Sequence, residues 1–130
     1  MNYDIKQYIC ICKGGWTHGK CAAQIAHASM AIFFQKMSRF ENTFCFKASE
    51  DEIKWIEGSF AKITLKVDSV QQLIEIGQLA EKLQLQHALI YDNGATQKDD
   101  NAATIAVGPF DSTNIQYSEM ISLLSQFKLY

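Results

Sequence analysis

Proline is almost missing from this 130-residue chain, which has only Pro109. That excludes a proline-rich linker or polyproline segment, and no repeat or low-complexity tract stands in its place. No apolar run approaches the roughly 18 residues that a membrane-spanning helix requires. A dominant sign of charge is lacking too. Twelve Lys and Arg against fourteen Asp and Glu leave a formal net charge of −2, so the total makes no electrostatic case for nucleic acid. Local basic patches remain compatible with that total. The opening stretch "MNYDIKQYICIC" mixes charges and has no small-residue cleavage pattern, so no secretion signal is read there and the cytoplasm is the expected compartment.

Hydrophobic residues make up 48% and charged residues 20%, which suits a globular chain able to bury a core, and a single domain over 1–130 is expected. Without a secretory context, Cys10, Cys12, Cys21 and Cys45 are expected as reduced thiols. Cys10 and Cys12 alternate along a predicted strand and share one face. A zinc site drawing in His18 and Cys21 is disfavoured, because C-x-C is not a usual knuckle spacing. No metal and no cofactor are expected.

Strand and helix signals alternate along the chain. Residues 5–12 read as a strand ended by Gly14-Gly15, and residues 19 to about 39 as a long helix. A short helix is predicted over 50–57, with acidic residues in its first turn. Residues 60–67 alternate, with Ile63, Leu65 and Val67 on one side and Lys62, Thr64 and Lys66 on the other. Ser69 and Gln72 make a capping-box pattern for a helix burying Leu73, Ile76, Ala80 and Leu83. Strands follow at 87–91 and 104–107, and a last helix at about 112–124. Such alternation implies an α/β layered sheet. Only "DNGATQKDDNAA" separates the third and fourth of these strands, too few residues for a helical crossover. The fourth strand should therefore run against the others. The carboxyl ends of the first and third strands then share an edge with the amino end of the fourth, which gathers Lys20, Asp92 and Thr104 where open α/β sheets bind ligands.

The stretch "HGKCAAQIAHAS" opens the long helix. At about 100° per residue, Lys20, Gln24 and His27 fall in one narrow polar stripe. Ala26, Met30, Phe33 and Met37 form another roughly a quarter-turn away, the expected core face. "GGWTHGKC" also has the G-x-x-x-x-G-K spacing of a phosphate-binding loop, and "ALIYD" imitates a strand delivering a magnesium-binding aspartate. Cys21 stands where that motif needs a Ser or Thr hydroxyl on magnesium, which counts against it.

Longer stretches carry a more specific signal. "GKCAAQIAHAS" resembles the G-K-x-A-A-Q-x-x-H-A signature of the type 2 peptidyl-tRNA hydrolases, the archaeal and eukaryotic kind. "YDNGATQ" resembles that family's D-x-G-x-T-Q segment, "TIAVGP" its strand ending in Gly-Pro, and "FAKITLKVDSVQQL" its middle strand and following helix. The closing "KLY" matches a common family ending, so the similarity spans nearly the whole chain in order. It departs at Ala95, where the family usually carries Arg, and in "KGGWTH", a loop often rich in lysine.

The resemblance implies a three-layer α/β/α sandwich on a four-stranded mixed sheet. It also implies hydrolysis of the ester joining a peptide to the 3′ end of tRNA. The family's functional positions carry over to Lys20, Gln24, His27, Asp92, Thr96 and Thr104. As expectations, Asp92, alone or through Thr96, orients and deprotonates a water, and Lys20 binds a phosphate or the oxyanion. His27 orients a neighbour, while Gln24 and Thr104 position the substrate. His18, Trp16 and Gly94 are further expected substrate contacts, Trp16 by stacking on a terminal base or ribose. A relative that binds RNA ends or a protein without turnover is the alternative. Phe33, Phe34, Phe40, Phe44 and Phe46 exceed what one helix and loop need to bury, so a homodimer contact is also expected.

Overall fold

Two capping boxes and two short antiparallel pairings organise the chain. The structure is a computed structural model and describes residues 3–92 and 103–130. Strand β1 (Ile5–Cys12) leads through a tight turn to helix α1 (His18–Phe34), whose N-cap Thr17 accepts a hydrogen bond from the Lys20 amide. Strands β2 (Ser38–Phe40) and β3 (Thr43–Cys45) form an exposed hairpin turned at Glu41, which has positive φ. Ser49 and Glu52 cap helix α2 (Glu50–Glu57) reciprocally. Strand β4 (Lys62–Lys66) precedes helix α3 (Val70–Lys82), capped in the same way by Ser69 and Gln72. Strands β5 (His87–Tyr91) and β6 (Ala103–Asp111), a short 3-10 turn, helix α4 (Ser118–Leu124) and strand β7 (Lys128–Leu129) complete the order.

The main sheet runs β5-β6-β1-β4-β7. β1 and β4 are parallel, whereas β6 is antiparallel to both its neighbours, as the short β5–β6 connection requires. The α/β class and the reversed strand are therefore as expected. The sheet has five strands rather than four, because the two-residue β7 adds to the edge of β4. Such a short strand leaves no period-2 pattern in a sequence.

Side chains alternate between two unlike faces. Cys10, Leu65, Ile105 and Val107 meet Leu73, Ile76 and Ala80 of α3 and Met120 of α4 in one continuous apolar core. The opposite face, under α1 and α2, splits into two smaller clusters, Ile9, Ala28, Ile32, Ala88 and Ala106 in one and Ile11, Trp16 and Cys21 in the other. Gln7 is fully buried here, bonded to Ser29 of α1 through its backbone oxygen and hydroxyl.

Helix α1 departs from its expected orientation and length. Its buried residues are Cys21, Ala28, Ser29 and Ile32, while Met30 is 51% exposed. The sheet beneath presents Ala88 and Ala106, so the helix docks closely through small residues. The bulky stripe turns sideways instead, where Phe33 stacks on the Trp55 ring at 5.8 Å. The helix stops at Phe34, not near Arg39, and Arg39 lies in the hairpin.

Candidate active site

β5 ends at Tyr91, and Asp92 follows with its side chain only 2% exposed. Its Oδ1 lies 3.1 Å from Nζ of Lys20, which comes from the first turn of α1 and is 13% exposed. Two strand-helix junctions thus deliver opposite charges to one edge of the sheet. Lys20 Nζ also lies 5.4 Å from the centroid of the Trp16 ring, a cation–π distance. That helix turn contains no acidic residue, so the positive end of the helix dipole adds to the field of Lys20. Burying two charges gains little net stability, because desolvation offsets most of their attraction.

Thr104 is fully buried in β6, in register with Ile11 of β1 and Ile90 of β5. Strand alternation places it on the α1 face, diagonal to Asp92. Gln24 sits one helical turn beyond Lys20, half-buried. Among the described residues, the buried side-chain polar atoms without a hydrogen-bond partner are Gln24 Oε1, Asp92 Oδ2 and Thr104 Oγ1. An unpaired buried polar group is costly, about 1–3 kcal/mol each. The ion pair therefore carries one such atom itself, and Gln24 and Thr104 carry the other two.

The other expected residues divide. His27 is exposed, and among the described residues it has no hydrogen-bond or ion-pair partner. It lies two turns along α1 from Lys20, about 10 Å of rise, outside the ion pair. Trp16 is only 3% exposed and packs with Ile11 and Cys21, so it forms a floor under Lys20 and has no face free to stack on a base. An indole beside a strand end gains more from the core than from solvent, so Trp16 contributes here by packing. His18 is exposed, its Nδ1 3.5 Å from the hydroxyl of Tyr130. Thr96, Gly94 and Ala95 lie outside the described residues. Tyr130 was missed by sequence reasoning, since a two-residue strand brings it to α1. The Cys21 thiol beside its hydroxyl raises the Tyr130 pKa, and partial burial adds to this.

The phosphate-loop alternative does not fit this geometry. Thr17, inside the motif, caps the helix through its side chain, Trp16 turns into the core, and Cys21 is fully buried. All four cysteines are free thiols, and burial pushes the Cys10 thiol up to about 12, which makes it inert. Among the described residues no three His, Cys, Asp or Glu side chains converge as a metal site.

The family model of peptidyl-tRNA hydrolase PTH2 matches residues 5–129. The chain belongs to that family. Among curated relatives of this PTH2 chain, a peptidyl-tRNA hydrolase of Haloquadratum walsbyi is 37% identical over 98 residues, covering 75% of this chain and 78% of the relative. One from Thermococcus sibiricus is 32% identical over 96 residues, covering 70% and 71%. A probable peptidyl-tRNA hydrolase 2 of Dictyostelium discoideum is 34% identical over 109 residues, covering 82% of this chain and 48% of the relative. The ion pair and the three unpartnered oxygens lie within the span that the PTH2 model matches.

Proposed function

We propose that this chain hydrolyses the ester joining a peptide, or an N-blocked amino acid, to the 3′ end of tRNA, with Lys20 and Asp92 at the centre of the reaction. The observation that carries this reading is the buried Lys20–Asp92 pair, whose Asp92 Oδ2 has no hydrogen-bond partner. Unpartnered oxygens on Gln24, one turn along α1, and on Thr104 of the adjoining strand β6 support it. A water held by Asp92 attacks the ester carbonyl carbon and passes its proton to the carboxylate. As Asp92 is neutralised, Lys20 loses its counter-charge just as the oxyanion forms, so its attraction for that oxygen grows when it is needed. The C–O bond to the ribose then breaks, and the proton on Asp92 is returned to the 3′ oxygen of the leaving tRNA. Thr104 and Gln24 orient the water and the carbonyl, with Thr96 assisting Asp92. His27, from its exposed position, contacts the substrate beyond the reacting bond, as do His18 and Gly94.

The reaction belongs in the cytoplasm, where peptidyl-tRNA arises. Among the described residues no helix is long and apolar enough to cross a membrane. Phe34, Phe40 and Phe44 are 56%, 74% and 64% exposed, apolar surface on α1 and the β2–β3 hairpin that suits a homodimer contact. Sedimentation of Phe40→Ser/Phe44→Ser beside the wild type tests it, and an unchanged mass would remove the dimer.

The decisive experiment is release of free tRNA from purified peptidyl-tRNA in the presence of a chelator, with Lys20→Ala as control. Cleavage by the wild type and its loss in the variant is the expected result. Binding of peptidyl-tRNA without turnover would leave a non-catalytic relative, and magnesium-dependent ATP turnover would restore the phosphate-loop reading.

A further inference from the structure

We propose that Lys66 and Lys128 form a seat for the phosphate backbone of an RNA strand, on the flank of α1 away from Asp92. This rests on the hydrolase reading, since it states where the nucleic-acid part of that substrate lies. In the antiparallel pairing of β4 with β7, Lys66 stands directly opposite Lys128. Opposed residues share a face, with Cβ atoms about 4.5–5.5 Å apart, and like charges placed so are destabilising. Both lysines are exposed, and among the described residues neither is ion-paired to an acid. Asp68, the nearest acid along the chain, donates its amide to Gln72 at the cap of α3. An anion bound between them would relieve that repulsion.

Position identifies the kind of anion. The neighbouring residue of β4, Leu65, belongs to the core under α3, so alternation puts both lysines on the α1 face. Tyr130, two residues beyond Lys128, shares that face and reaches His18 in the first turn of α1 at 3.5 Å. His18 is two residues from Lys20, which meets Asp92. Lys66 and Lys128, Tyr130 and His18 therefore run from the sheet edge to the first turn of α1, the turn that also carries Lys20. A strip of cations interleaved with a half-exposed aromatic ring suits a strand with successive phosphates better than a single ion. Lys62 lies on the same face but is held by the Phe60 carbonyl, with its ammonium 3.4 Å from the centroid of the Phe60 ring. Glu50, Asp51, Glu52 and Glu57, meanwhile, are gathered on α2. The net charge of −2 thus conceals a basic strip and an acidic helix.

The test measures binding of deacylated tRNA against salt for the wild type, Lys66→Gln, Lys128→Gln, the double variant, and Lys47→Gln as an exposed-lysine control. The double variant should bind about ten-fold more weakly near physiological salt, with the slope of log affinity against log salt reduced by about one to two. Its kcat on saturating peptidyl-tRNA and its cleavage of an N-blocked aminoacyl-adenosine, which lacks the phosphates, should match the wild type. Thermal midpoints of the single variants should equal or exceed the wild type, because a like-charge pair has been relieved. Unchanged affinity and slope would overturn the seat, as would a parallel loss on the adenosine substrate or an equal loss in Lys47→Gln. Lysine-dependent binding to anionic vesicles with tRNA binding unaffected would also overturn it, in favour of a lipid surface. A wild type that binds tRNA through these lysines but cleaves nothing would defeat the hydrolase reading and leave the seat standing.

Discussion

The two faces of the sheet differ in what they bury. Beneath α3 and α4 the core is apolar and continuous, from Tyr8 through Ile105 to Met120. Beneath α1 and α2 lie Gln7, Ser29, Glu52, Asp92 and Thr104, and the apolar clusters between them are small. One face stabilises the molecule so that the other can carry polar groups whose burial it does not repay. The same strands serve both, because successive side chains of β1 and β6 point opposite ways.

Breaking the polar face at its centre should have the largest effect. Asp92→Asn keeps the shape but removes the proton acceptor, and single-turnover cleavage should fall about 10²- to 10⁴-fold. Near-wild-type cleavage by Asp92→Asn, with the loss appearing in His27→Ala instead, would make the imidazole the base.

Ile105→Ala tests the apolar face. It should lower stability by about 2–5 kcal/mol in a denaturant titration, with kcat per folded molecule retained. A loss of kcat comparable to that of Asp92→Asn would mean the division of labour between the faces is wrong.

Glu52→Gln probes the polar face away from the reaction. Burial raises the pKa of Glu52, but hydrogen bonds from Lys36, the Ser49 amide and Gln86, together with the Lys36 charge, outweigh it and hold the carboxyl below its usual range. A lowered folded value means this stabilisation is present above the ordinary carboxylate value of about 4.3 and is lost as pH falls through the folded value below it. Thermal midpoints should accordingly show a shallower acid decline in Glu52→Gln, at a loss of about 3 kcal/mol near neutrality. An acid decline identical to the wild type would assign it to other carboxylates.

Thr104→Val should have the smallest effect and sharpen the contrast most. Replacing an unpartnered buried hydroxyl by a methyl should leave stability unchanged or raise it by up to about 1 kcal/mol. Cleavage should nonetheless fall about ten-fold if the hydroxyl positions the water. Lost stability with unchanged cleavage would make Thr104 structural.

Where local chemistry decides an element, the sequence was readable. The serines at 49 and 69, each three residues before Glu or Gln, start α2 and α3 where expected, and β1 and β5 have the expected ends. The edge joining Lys20, Asp92 and Thr104 followed from one short connection. Facing of α1 did not follow, because that helix is apolar nearly all round and its burial is set by how close the alanines of β5 and β6 let it come. The burial of Trp16 did not follow either, for a related reason: a glycine-flanked aromatic looks like a loop tip until the cluster of Ile11 and Cys21 claims it. The hairpin of β2 and β3 and the meeting of Lys66 with Lys128 depend on pairings too short to leave a pattern.

The place of β6 between β5 and β1 has a consequence for how the molecule comes into being. Its pairing with β1 sets Ile5 against Asp111 and Cys12 against Ala103, so the centre of the sheet joins segments far apart along the chain. Closing so long a loop is slow, and contacts of this kind form late. On a ribosome, β1 and α1 emerge early but wait, half-covered, for β6. Lys20 exists long before Thr104 does, so on the mechanism proposed above a nascent copy stays incomplete until β6 has been made and threaded into the middle of the sheet.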